Sequence, residues 1–106
     1  MKINELFKLK LNDVKLNDSE GNYRFYKSHQ DHFLKWCSQY SITDTEEIDN
    51  DVILDYITEM KKTCSNATIN KRIGILKRSF KFSNVDFEYL QSIKKLKEQK
   101  KTFNML

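Results

Sequence analysis

The stretch SNATINKRIGILKRSFKFS, residues 65–83, gathers the side chains of this sequence best suited to hold an anion. Lys71, Arg72, Lys77 and Arg78 flank Gly74, and the only other glycine is Gly21. Ammonium and guanidinium groups pair with phosphate and carboxylate oxygens. A mid-helix glycine costs about 1 kcal/mol relative to alanine, so Gly74 calls for a compensating role. On a helix, Ala67, Asn70, Lys71, Gly74, Arg78 and Lys81 share one face, with Lys77 at its margin. The opposite face carries Ile69, Ile73, Leu76 and Phe80. Lys71 and Arg78 lie about 10 Å apart along such a helix, at ~1.5 Å per residue. The major groove of B-DNA is ~12 Å wide, so the two could reach phosphates across it. Gly74 would then let the backbone come close to that surface. The alternative is that it relieves a contact between helices.

Other chemistries find little support. Two glycines cannot build a glycine-rich phosphate loop. His29, His32 and Cys37 are spaced so that they do not share one helix face tightly, which argues against a metal site. Cys37 and Cys64 match no zinc spacing and read as small buried hydrophobes rather than a disulfide. The acidic run DTEEIDND, residues 44–51, suits a loop that favours a helix N-terminus. No nucleophile has a base partner nearby, so the sequence predicts no catalysis, cofactor or metal for this chain alone.

Charge is divided sharply along the chain. Residues 1–60 hold 7 Lys/Arg against 12 Asp/Glu, and residues 61–106 hold 12 against 3. A basic half of this kind suits a polyanion partner, most often nucleic acid. The 106 residues suffice for one domain with a single core, and 39% hydrophobic content argues for a folded chain. No apolar run approaches the ~20 residues of a membrane span, and the N-terminus lacks a signal-peptide core. The expectation is a soluble, cytoplasmic protein without a membrane partner.

The elements that must position these residues all show helical spacing. A short first helix is predicted through INELFKLKLNDV, with Ile3, Leu6, Phe7 and Val14 as its apolar face. A break at Gly21 precedes a long helix over about 22–40, striped by Tyr26, His29, Phe33, Trp36, Cys37 and Tyr40. Asp49 or Asn50 caps the next, over about 50–62, which buries Ile53, Tyr56, Ile57 and Met60 and ends in Lys61 and Lys62. Ser65 or Asn66 caps the basic helix. A last helix is predicted over about 86–99 from Leu90, Ile93 and Leu96. The fold class is all-α, a compact four- to five-helix orthogonal bundle.

These motifs, taken together, resemble a known family. SNATINKRIGILKRSF looks like the signature helix S-x-x-T-I-x-x-x-L-x-x-L-x-x-x-F of the SAM-like, N-terminal core-binding domain of tyrosine recombinases, or phage integrases. Ser65, Thr68, Ile69, Ile73, Leu76 and Phe80 occupy its positions. The family's T-x3-Y-x6-F-x2-W/L pattern appears as Asn22, Tyr26, Phe33 and Trp36, and its middle pattern as Val52, Ile53, Tyr56, Ile57 and Met60. The resemblance spans about residues 20–103, leaving residues 1–20 as an N-terminal extension or short helix and 100–106 as a linker toward a catalytic domain. Asn22 stands where threonine is usual, and Gln30 where leucine is common.

What the resemblance implies is a domain that clamps duplex DNA within a DNA-cleaving and -joining recombinase, with other recombinase subunits on the DNA as candidate partners. The catalytic domain with its nucleophilic tyrosine would lie beyond this sequence. Carried over by position, the DNA contacts are Asn22, Arg24 and Ser28 on the long helix and Thr68, Asn70, Lys71 and Arg78 on the basic one; the face geometry adds Gly74 and Lys77. These groups position DNA more than they read it. A second reading is a helical protein–protein interaction module whose basic half meets an acidic partner, since one fold serves both uses.

Overall fold

In a computed structural model, residues 1–85 and 88–98 are described. Five helices follow one another: α1 (Ile3–Asn17), α2 (Glu20–Gln39), α3 (Asn50–Met60), α4 (Asn66–Phe82) and α5 (Glu88–Ser92), with one 3-10 turn at Thr45–Glu47. Among the described residues the sole extended pairing is an isolated bridge between Lys2 and Asp44. It ties the start of α1 to the α2–α3 loop, with Ile3 N–H donating to Thr43 O at 2.9 Å and Thr45 N–H to Met1 O at 2.9 Å. The fold is the all-α bundle expected.

Helix starts follow local capping chemistry. Ser19, Asp49 and Ser65 each accept a hydrogen bond from a first-turn backbone N–H of α2, α3 and α4. In the loop, Asp44 and Glu47 form a reciprocal capping box. The first break therefore falls at Asp18–Ser19, not at Gly21, because Ser19 supplies the cap and draws Gly21 into the first turn of α2. Glycine is not what ends the helices either. Ser41, just past α2, and Asn84, just past α4, take left-handed backbone with φ of 58°.

The core lies where the predicted stripes converge. Phe7 of α1, Phe33 and Trp36 of α2, Tyr56 of α3 and Phe80 of α4 form one aromatic cluster, with Phe33–Tyr56 centroids 4.9 Å apart and Phe7–Phe80 5.5 Å apart. Ile57, Ile73 and Leu76 belong to the same cluster. A smaller group of Val14, Tyr26 and Ile75 fills the angle between α1, α2 and α4. Because Ile3, Leu6 and Phe7 are buried in the main cluster, α1 is part of the bundle's core. Gln30 is buried as well, and its amide donates to Phe7 O at 3.3 Å and Ser79 Oγ at 3.1 Å. Where leucine would only fill space, this glutamine stitches α1, α2 and α4 together.

Three expectations need correction. Tyr40, read as part of the α2 stripe, is the C-cap and is 58% exposed. Lys61 and Lys62 lie just beyond α3, Lys61 as its C-cap and Lys62 paired with Glu59 at 3.2 Å. The last helix is far shorter than 86–99. Helix is confined to Glu88–Ser92, and residues 93–98 have no regular structure; positions 86, 87 and 99 lie outside the described residues. The reason is capture of backbone groups by α4. Asn70 Oδ1 accepts Leu96 N–H at 2.8 Å, and its Nδ2 donates to Leu96 O at 2.9 Å. Asn66 donates to Lys97 O at 2.7 Å, and Lys77 Nζ donates to Ile93 O. The segment thus runs back along α4, antiparallel to it, with Ile93 and Leu96 packed against the core.

Candidate functional site

Helix α4 carries Lys71, Arg72, Lys77, Arg78 and Lys81 and not one carboxylate. Its N-cap, its core stripe and the absence of proline make it a rigid 17-residue rod that fixes these cations relative to the bundle. On α2, Arg24 pairs with Glu20 at 3.2 Å and Lys27 with Asp31 at 3.3 Å, while exposed Lys35 has no carboxylate partner among the described residues. Among the described residues, none of the five α4 cations has a carboxylate within 4.0 Å. Five cations without a carboxylate partner are therefore gathered on one helix.

The expected contact residues divide into groups. Lys71, Arg78 and Lys81 are exposed on α4. Asn70, Gly74, Lys77 and Arg78 line one cavity of about 240 Å³, closed on its far side by Ile93, Lys94, Lys95 and Leu96. Asn70 and Lys77 are thereby occupied with the 93–98 segment, and Asn70 also donates to Glu98 at 2.9 Å. A Cβ placed on Gly74 would meet only the Arg78 guanidinium, at 3.6 Å. No other helix comes within 4 Å of that point among the described residues, so Gly74 does not relieve a helix–helix contact. It forms the floor over which Arg78 folds back.

Thr68 belongs to the cap of α4, its Oγ1 accepting from Ser65 Oγ at 3.2 Å. Asn22 gives its backbone N–H to Ser19 Oγ at 3.1 Å in the first turn of α2. Arg24 and Ser28 are exposed on α2. No hydrogen bond or ion pair among the described residues joins Asn22, Arg24 or Ser28 to the α4 cations.

A second polar group, not foreseen as a site, lies where α2 and α4 meet the end of α3. Arg72 Nε donates to His29 Nδ1 at 3.3 Å, and Nη1 reaches Cys64 Sγ at 3.2 Å. His32 Nδ1 lies 2.7 Å from the Tyr56 hydroxyl. Burial pushes the Tyr56 phenol well above its ordinary range, so it keeps its proton in this pair. Burial, then the Arg72 charge, hold both histidines below their usual pKa. The signal for this group was present in the spacing. Position 72 is three residues after Ile69 and four before Leu76, so Arg72 had to lie on the flank of the buried stripe. Cys37 is buried as expected, its thiol pushed up to about 12 by burial, whereas Cys64 is only half-buried beside Arg72.

The helix order, the shared aromatic core and the basic fourth helix define a small helical-bundle domain with one cationic face. The sequence model of the phage integrase SAM-like domain matches residues 2–82, and the chain belongs to that family. The matched region begins at α1, earlier than the resemblance read from the motifs alone. No curated protein and no solved structure matches the chain. Among the described residues no helix is long and apolar enough to cross a membrane.

Proposed function

We propose that this chain is a core-binding domain of a tyrosine recombinase, one that clamps duplex DNA through its phosphate backbone. The observation that carries this reading is the set of unpaired cations on α4, on a chain of the integrase SAM-like family. Lys71, Arg78 and Lys81 are the outermost contacts. Lys94, Lys95 and Lys97 are exposed on the segment covering Asn70, Gly74 and Lys77, and they extend the same positive surface. Asn22, Arg24, Ser28 and Thr68 supply polar groups on the flanks, and Arg24 must exchange Glu20 for a phosphate to take part. Cutting and joining of DNA belong to a catalytic domain outside these 106 residues, and the domain works inside the cell, where its DNA lies.

Phosphate neutralisation releases counterions, so the reading has a thermodynamic signature. With about 4 phosphates engaged, log K should fall with log salt at a slope of about −3.6, taking ~0.9 per phosphate. Titration of a labelled duplex at several salt concentrations measures it, with scrambled sequences binding nearly as well. Affinity that ignores salt, or no binding at low salt, would sink the proposal. Binding to acidic polypeptides in preference to DNA would favour the interaction-module reading.

A further inference from the structure

Arg72 is a half-buried cation held in place by groups that carry no charge. Its Nε–H goes to an imidazole nitrogen, and Nη1 faces two sulfurs, Cys64 Sγ at 3.2 Å and Met60 Sδ at 3.9 Å. Nη2 makes no hydrogen bond among the described residues, and no carboxylate lies within 4.0 Å of the guanidinium. If the position served packing alone, methionine or leucine would fill it without the cost of desolvating a charge. A guanidinium fixed on two of its three nitrogens holds the N–H groups of the third in a set orientation for an oxyanion.

Among the described residues, its neighbours bring no carboxylate. Because His29 Nδ1 accepts from Arg72, the neutral ring carries its proton on Nε2. The His32 ring is held through its Nδ1 contact with the Tyr56 hydroxyl at 2.7 Å. The His29 ring stands edge-on to half-exposed Phe25, centroids 4.6 Å apart, which steadies its orientation. Lys71 lies within electrostatic reach of His29, and Lys35 within reach of His32.

We propose that Arg72 and His29, with Lys71 beside them, form a preorganised site in the α2–α4 groove for one phosphate of a phosphodiester backbone. The assignment to DNA rests on the function proposed above; the preference for an oxyanion rests on the donor set itself. In this site His29 acts twice. Its Nδ1 orients the guanidinium and its Nε2–H is offered to the phosphate. The site sits around the helix from the Asn70–Gly74–Arg78 cavity, so it would hold the duplex at a second point along α4.

The test uses the intact chain, with inorganic phosphate and a labelled duplex as probes. Phosphate should shift the NMR signals of the Arg72 Nε–H group and the His29 ring, saturably and together. Chloride at matched ionic strength should leave them in place. Arg72→Met keeps the packing against Met60 and Cys64. It should weaken duplex binding about tenfold or more and make the salt slope shallower by about 1. Arg72→Lys keeps the charge but loses the planar group held by His29 and Cys64; it should retain the slope and still lose several-fold in affinity. Thermal unfolding checks that each variant is folded, and the wild-type NMR titration decides the matter if either is not.

Arg72 and His29 signals that ignore both phosphate and duplex overturn the site. So does a folded Arg72→Met variant with wild-type affinity and slope, a result that leaves DNA binding by the rest of α4 standing. If phosphate moves the signals but no duplex binds at low salt, the anion site stands and the DNA function falls.

Discussion

At His29 and His32, folding and protonation oppose each other. Burial and the Arg72 guanidinium lower both pKa values from the ordinary 6.5, and His29 Nδ1 is committed as an acceptor from Arg72. The unfolded chain therefore takes up protons first as pH falls. Stability should be insensitive to these groups above about pH 7 and should decline as pH drops through 6.5 toward the lowered folded values. Urea unfolding at pH 7.5 and 5.5 measures the loss, which should shrink in the double variant His29→Gln/His32→Gln. An equal loss in that variant would place the pH dependence elsewhere. Gly74 offers a second test. Ordinary contact distances surround its missing Cβ, so Gly74→Ala should raise stability by up to about 1 kcal/mol, read from chemical denaturation. Destabilisation would show that Arg78 cannot shift from its place above the glycine. Gly74 lies beneath the guanidinium of Arg78, a side chain four residues away. Periodicity places residues on faces and does not say which long side chain folds back over them.

Among the elements, α4 was the most legible and the C-terminal stretch the least. Ser65 as cap and Ile69, Ile73, Leu76 and Phe80 as the buried stripe follow from short-range chemistry, and all are found. Leu90, Ile93 and Leu96 are also set at a helical spacing, yet helix stops at Ser92. Spacing could not show that Asn70, far earlier in the chain, captures both backbone groups of Leu96. Such a side-chain amide imitates a neighbouring strand and favours extended backbone over another helical turn. Asn70→Ala should cost about 1–3 kcal/mol, since it leaves part-buried backbone groups without partners. Amide hydrogen exchange at Leu96 should quicken sharply relative to the core of α4. Unchanged protection there would mean that the apolar contacts of Ile93 and Leu96 hold the segment unaided. The same bonds show why Asn70 and Lys77 looked like free surface residues. A polar face reads as solvated until its partner segment is known.

For the molecule as a whole, the aromatic core was readable and its polar seams were not. Trp36, Phe33, Ile57, Ile73, Leu76 and Phe80 share one cluster, as the converging stripes require. Gln30 and Ser79 also lie inside, and no pattern of apolar residues announces them. Phe80 is fully buried with its ring near those of Phe7 and Phe33, so Phe80→Ala should cost about 3–5 kcal/mol in thermal or urea unfolding. A change of only a few tenths would mean that this position is not the centre of the bundle. The charge asymmetry, also legible from the outset, resolves in space into an α2 whose Arg24 and Lys27 are paired and an α4 with no ion pair among the described residues.

Trp36 gives the molecule a built-in optical gauge. It is the single tryptophan, it is 8% exposed, and its indole N–H has no hydrogen-bond partner among the described residues. An indole in such surroundings emits toward the blue, because neither water nor a fixed acceptor relaxes its excited-state dipole. Tyr56 lies 5.1 Å away, centroid to centroid, close enough to pass on absorbed ultraviolet energy, and its hydroxyl touches His32. Light emitted from the core is thus coupled, through one phenol, to a histidine at the edge of the α2–α4 groove, so events there can be followed without attaching a label.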